Sequence, residues 1–166
     1  MSAPTPEILA FDGGHDPAQA SHEALQAIRR QLRRHPVITS VEGLPHDALH
    51  TELRASVDPS SIGLDVLDGT VTVRWFTGDR ESRPRFTFHY SDQSGFDCGW
   101  HHHEQEHLDG WGHYQEQTSE DADYSYKRFD FGSTEPARVV WEVLEELQTV
   151  LERLEPDESV GSPNED

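Results

Sequence analysis

Apolar residues recur along this 166-residue chain with two periods, and the switches between them mark the elements. Ala24, Leu25, Ile28 and Leu32 fall at helical spacing. Asp16-Pro17 ahead of them offers an N-cap and a proline at the first helical position. His35-Pro36 stops the segment, because a residue before proline disfavours the α region. From Val37 the period becomes two. Val37 to Val41 is short and β-branched, and Leu49, Thr51, Leu53, Ala55 and Val57 share one side of a second strand that ends at Asp58-Pro59. Ile62, Leu64 and Val66 continue the alternation up to Asp68-Gly69, a tight-turn signal. Val71, Val73 and Trp75 then form a return strand, and Phe86, Phe88 and Tyr90 alternate against Thr87 and His89. Residues 62–90 are thus predicted to form an antiparallel meander of three strands.

Beyond Gly95 the pattern is broken by polar residues, and Asp109-Gly110 is a further hairpin signal ahead of Trp111 to Gln115. Tyr124, Tyr126, Phe129 and Phe131 make a last strand whose parity shifts after Tyr126, which predicts a bulge or a strand end there. Ser133 or Thr134 is placed to cap a final helix, with Pro136 in its first turn. Val140, Val143, Leu144, Leu147, Val150, Leu151 and Leu154 give that helix an apolar stripe. The predicted fold class is α+β, an antiparallel sheet of about five to seven strands with an N-terminal and a C-terminal helix packed on one face. The other face is left to water, a partner or a second copy, and Trp75, Trp100 and Trp111 are expected on it. Residues 1–15 read as an irregular segment, 16–155 as a single domain and 156–166 as an acidic disordered tail.

Charge changes this picture in one respect. There are 32 acidic residues against 13 basic ones, a net charge of −19, and Lys127 is the sole lysine. Such a surface opposes nucleic-acid binding, which rests on Lys and Arg meeting phosphate. The one basic patch is Arg29, Arg30, Arg33 and Arg34 with His35, read either as helix-dipole and salt-bridge service or as a contact for an anion, RNA or an acidic partner. Abundant acid with almost no lysine suits a salt-adapted, halophilic protein, in which screening removes the self-repulsion. No apolar run reaches the roughly 18 residues of a membrane span, and no secretory signal pattern is seen at the start. With one cysteine, the expected location is cytoplasmic.

Candidate chemistry concentrates in residues 86–117, which hold six of the eleven histidines and the lone cysteine. Imidazole, thiolate and carboxylate are the ligands of zinc and related metals, so Cys98, His101, His103, His107 and His113 are candidate ligands for a divalent ion, zinc or manganese. In an extended chain His101 and His103 share one face while Cys98 and His102 share the other. A two-residue turn at Asp109-Gly110 sets Glu106 opposite His113. The spacing fits neither HExxH nor paired CxxC. His89, His101, His103 and His113 on neighbouring strands, with Asp97 or Glu106 as orienter, are candidate catalytic groups for phosphodiester cleavage. Cys98 reads either as a nucleophile paired with a histidine or as a small buried hydrophobe. Trp100, Trp111 and Tyr114 are candidate partner-binding residues.

Phe88-His89-Tyr90, Asp97, His101-His102 and His113, followed by a strand and an amphipathic helix, resemble the TumE-like proteins associated with toxin–antitoxin systems. The likeness spans about residues 70–155, and Asp97-Cys98-Gly99-Trp100 departs from it. It implies a component regulated by a cognate antitoxin-like partner and acting on RNA. The alternative reading is a non-enzymatic interaction module that binds another protein or forms a homodimer.

Overall fold

The computed structural model describes residues 15–104 and 110–156. The expected irregular start and the acidic tail fall on residues outside these, apart from His15 at one end and Pro156 at the other. Two helices, α1 (Pro17–Leu32) and α2 (Pro136–Leu154), flank a sheet in sequence. The sheet has seven strands: β1 (Ile38–Leu44), β2 (Glu52–Val57), β3 (Gly69–Phe76), β4 (Arg85–Asp92), β5 (Asp97–His102), β6 (Gly112–Gln117) and β7 (Ser125–Arg128). They lie side by side in chain order, each antiparallel to the next. The fold is α+β, as the two periods predicted.

Both helices cover the same face of this meander. Asp16 caps α1 by accepting a hydrogen bond from the Ala18 N–H at 3.0 Å. Leu25, Ile28 and Leu32 of α1 and Leu147 and Leu151 of α2 are fully buried against Leu53, Val73, Phe88 and Trp100. Arg153 ties the far end of α2 to β6 through a bidentate pair with Glu116, at 2.8 and 3.3 Å.

Four local expectations are corrected. Residues 62–66 form no strand: Pro59–Ile62 is a single 3₁₀ turn, Asp58 caps it through the Ser60 N–H, and Gly63 takes a left-handed φ of 83°. Ile62, Leu64 and Val66 instead pack half-buried on the rim of the core, and a connection laid against a core shows the same alternation as a strand. There is accordingly no hairpin at Asp68-Gly69, since Gly69 already pairs with Val57 and β2 runs directly beside β3. The cap of α2 is Glu135, whose carboxylate accepts from the Arg138 N–H, while the Ser133 hydroxyl accepts from the Glu135 N–H. Trp75 and Trp100 lie on the covered face, 4% and 2% exposed, because they share parity with Val73, Phe86 and Phe88. The parity break after Tyr126 is a strand end at Arg128, beyond which Phe129 and Phe131 turn in to pack on the core.

Candidate metal centre

Strand register builds the open face. Arg74, Thr87, His101 and His113 are successive cross-strand neighbours from β3 to β6. The next row is Thr72, His89, Gly99 and Gln115, and a third carries Ser91, Asp97 and Gln117. Period two therefore collects the histidines of three strands on the side away from the helices.

Three of them converge. One ring nitrogen from each of His101, His103 and His113 lies within 4.8 Å of the other two. The imidazole centroids are 4.7 Å apart for His101 and His113, 5.3 Å for His103 and His113, and 5.6 Å for His101 and His103. His113 is 1% exposed, yet its Nδ1 has no hydrogen-bond partner, and neither has the buried Nε2 of His101. Buried polar atoms are normally paired, so two orphaned nitrogens in one cluster require an explanation. His103 meets the Glu104 carbonyl through Nδ1 at 2.9 Å, which makes Nδ1 the donor and leaves Nε2 with a free lone pair. Such a bond to the far nitrogen is the usual way a metal-binding histidine is oriented.

Protonation is opposed at His101, at His113 and at the neighbouring His89. Burial, then the charge that His113, His89 and His103 would carry, pushes His101 down to about 3. His113 is lowered by burial and by His103 against the opposing pull of a Gln115 side-chain hydrogen bond, and His89 by burial against the opposing pull of Asp97. Neutral imidazoles at pH 7 are the metal-binding form. Close by, His89 Nδ1 contacts Asp97 Oδ1 at 3.1 Å, and the Tyr124 hydroxyl donates to the same oxygen at 3.1 Å. The His89 ring stands 5.6 Å from that of His101. Gly99 permits this approach: a Cβ there would lie 2.9 Å from His101 Nε2 and 3.0 Å from His89 Nε2.

The expected catalytic set of His89, Asp97, His101 and His103 thus lies together on the open face. The expected ligand set does not hold together. Cys98 is fully buried on the helix side, opposite in parity to His101, with its thiol pushed up to about 12 by burial. It is a core residue and contributes no ligand to the histidine cluster. His107 lies outside the described residues. His101 pairs with His113, and the His103 N–H bonds the Trp111 carbonyl; Glu106, expected opposite His113, lies outside the described residues.

The partner-binding candidates are also displaced. Trp100 and Tyr114 are buried on the helix side, ring to ring at 5.1 Å, and Tyr114 donates to Glu116 at 2.7 Å. Only Trp111 is partly exposed, with Arg83 over its ring at 5.1 Å. In the basic patch, Arg29 reaches the Val41 carbonyl at 3.3 Å, which is structural service. Gly99 is a part of the site that the sequence reading does not single out, although a lone glycine inside a strand is itself a signal of close approach, and Tyr124, at strand spacing a packing residue, holds Asp97 instead.

The shifts carry a pH prediction for metal-free protein. The unfolded chain protonates its histidines near 6.5, whereas folded His101 stays neutral down to about 3. The unfolded state binds more protons across that window, so stability is present above pH 6.5 and falls as pH drops below it. Each such proton adds a slope of about 1.4 kcal/mol per pH unit. Urea melts in chelator between pH 7 and 5, above the range where carboxylates titrate, should show this loss, and His101→Asn should reduce it by one proton's share, with His89 and His113 keeping theirs.

No helix among the described residues is long and apolar enough to cross a membrane. No family model, no curated protein and no solved structure matches this chain.

Proposed function

We propose that the protein is a metal-dependent hydrolase of anionic esters, with a divalent ion held by His101, His103 and His113. The observation that carries this reading is the pair of buried, unpartnered nitrogens on His101 and His113, two of the three imidazoles in the cluster that His103 completes. Imidazole donors suit zinc better than manganese. Held by His101, His103 and His113, a zinc ion would keep one position open for water and would supply a hydroxide near neutral pH.

His89 is placed to move the proton. Asp97 holds its Nδ1 side, so Nε2 faces the cluster over Gly99. A neutral His89 accepts a proton from the attacking water and returns it to the leaving oxygen. Tyr124 fixes the Asp97 carboxylate, and with it the ring. The TumE-like resemblance favours RNA as the ester and an antitoxin-like protein as the partner, while the charge of −19 favours small substrates over long polyanions.

The test is hydrolysis of bis(p-nitrophenyl) phosphate and p-nitrophenyl phosphate by zinc-loaded protein purified without a histidine tag. Turnover should require the metal, and His89→Gln should lower kcat by about 10²- to 10⁴-fold with metal content unchanged. Stoichiometric zinc without turnover of either ester would remove the enzymatic reading.

A further inference from the structure

A groove of about 1130 Å³ opens beside the histidines, at the end of the sheet where β3 and β4 meet the connection between β5 and β6. Arg74, Arg83 and Arg85 line it, a quarter of the twelve arginines of a chain with net charge −19. Arg85 lies over Phe76 at 5.9 Å and Arg83 over Trp111 at 5.1 Å, and neither makes an ion pair with a described carboxylate. Aromatic rings position a guanidinium without neutralising it. Arg74 shares Glu52 with Arg54, which leaves that trio one positive charge in excess. Phe76 is half exposed, an unusual placement for a phenyl ring next to three cations. Glu81, Ser82 and Glu104 add hydrogen-bonding groups to the rim.

The groove is continuous with the metal centre. Arg74 and Thr87, neighbours across β3 and β4, also line the smaller depression over His89 and His101. His103 lines the groove itself. A ligand lying along it has an aromatic platform at one end, cations in the middle and the histidines at the other.

We propose that this groove binds a mononucleotide, with the base against Phe76 and Arg85, ribose hydroxyls toward Glu81 or Glu104, and phosphate at Arg74 and Thr87. Free phosphate would use the arginines and leave the ring and the carboxylates without a role. A nucleotide within a long single strand presents the same chemistry, but the rest of that strand meets the acidic surface. The placement of the phosphate toward the histidines rests on the hydrolase reading; binding in the groove does not need the metal.

The test is calorimetric titration of the full chain with AMP, adenosine, inorganic phosphate and a ten-nucleotide single strand at fixed ionic strength, in chelator and again with zinc. AMP should bind at least about 10-fold more tightly than adenosine or phosphate in both conditions, and more tightly than the single strand. Phe76→Ala should weaken AMP binding about 10-fold, and Arg85→Ala likewise, with zinc affinity and melting temperature unchanged. His113→Ala, which does not line the groove, should abolish zinc binding and leave AMP binding intact, so failure of the metal centre and of the groove are told apart. Phosphate binding as well as AMP, tighter binding of the single strand, or no AMP binding at millimolar concentration would overturn the proposal.

Discussion

His113→Ala is expected to lower zinc affinity by at least about 100-fold, because loss of a group that merely orients a ligand already costs about 10- to 100-fold. His113 is chosen because its ring is 1% exposed and its Nδ1 is unpaired. In the metal-free protein the substitution removes a buried polar atom without a partner and leaves a small cavity, two effects of opposite sign. The metal-free melting temperature should therefore move little. The difference appears on adding zinc. At 100 times its dissociation constant the ion stabilises wild-type protein by about 2.7 kcal/mol, roughly 5 to 11 °C for a chain of this size. That increment should vanish in His113→Ala and in His101→Ala. Differential scanning fluorimetry across a zinc series reads it directly. An unchanged increment in both variants would place the metal elsewhere.

Trp100→Ala is expected to destabilise the fold by about 3 to 5 kcal/mol. Trp100 is 2% exposed in the middle of β5, beside Tyr114 and beneath the helices, so truncation empties the centre of the core. The open face lies on the other side of the strand, and the histidines keep their register. The protein that remains folded should still take up one zinc ion per chain. Urea unfolding gives the stability and equilibrium dialysis the stoichiometry. A loss below about 1 kcal/mol would mean that the indole is a surface anchor after all.

Much of this arrangement is legible in the chain. Asp16-Pro17 and His35-Pro36 bracket α1 by backbone chemistry alone, and the stripe from Val140 to Leu154 specifies one buried face of α2. Parity placed His101 and His103 together and Cys98 opposite them, which the sheet keeps. Three things were hidden. The alternation of Ile62, Leu64 and Val66 could not separate a strand from a chain laid along the core, and the deciding groups were Asp58, Pro59 and Gly63. Strand parity defines two faces without saying which one the helices cover, so Trp75 and Trp100 were assigned to the wrong side. The partner of His113 depends on the length of the connection between β5 and β6, and a turn signal at Asp109-Gly110 gave His113 the wrong neighbour. The convergence of three imidazoles is a property of register and could be read only once the strands were paired.

Zinc K-edge X-ray absorption on protein purified without a histidine tag and loaded with one equivalent of zinc tests the three-histidine centre most directly. Three imidazole nitrogens at about 2.0 Å with one further oxygen, and no sulfur, is the expected coordination. A zinc–sulfur distance near 2.3 Å would bring Cys98 out of the core, and a shell of oxygens with fewer than two imidazoles would mean that His101, His103 and His113 do not hold the ion.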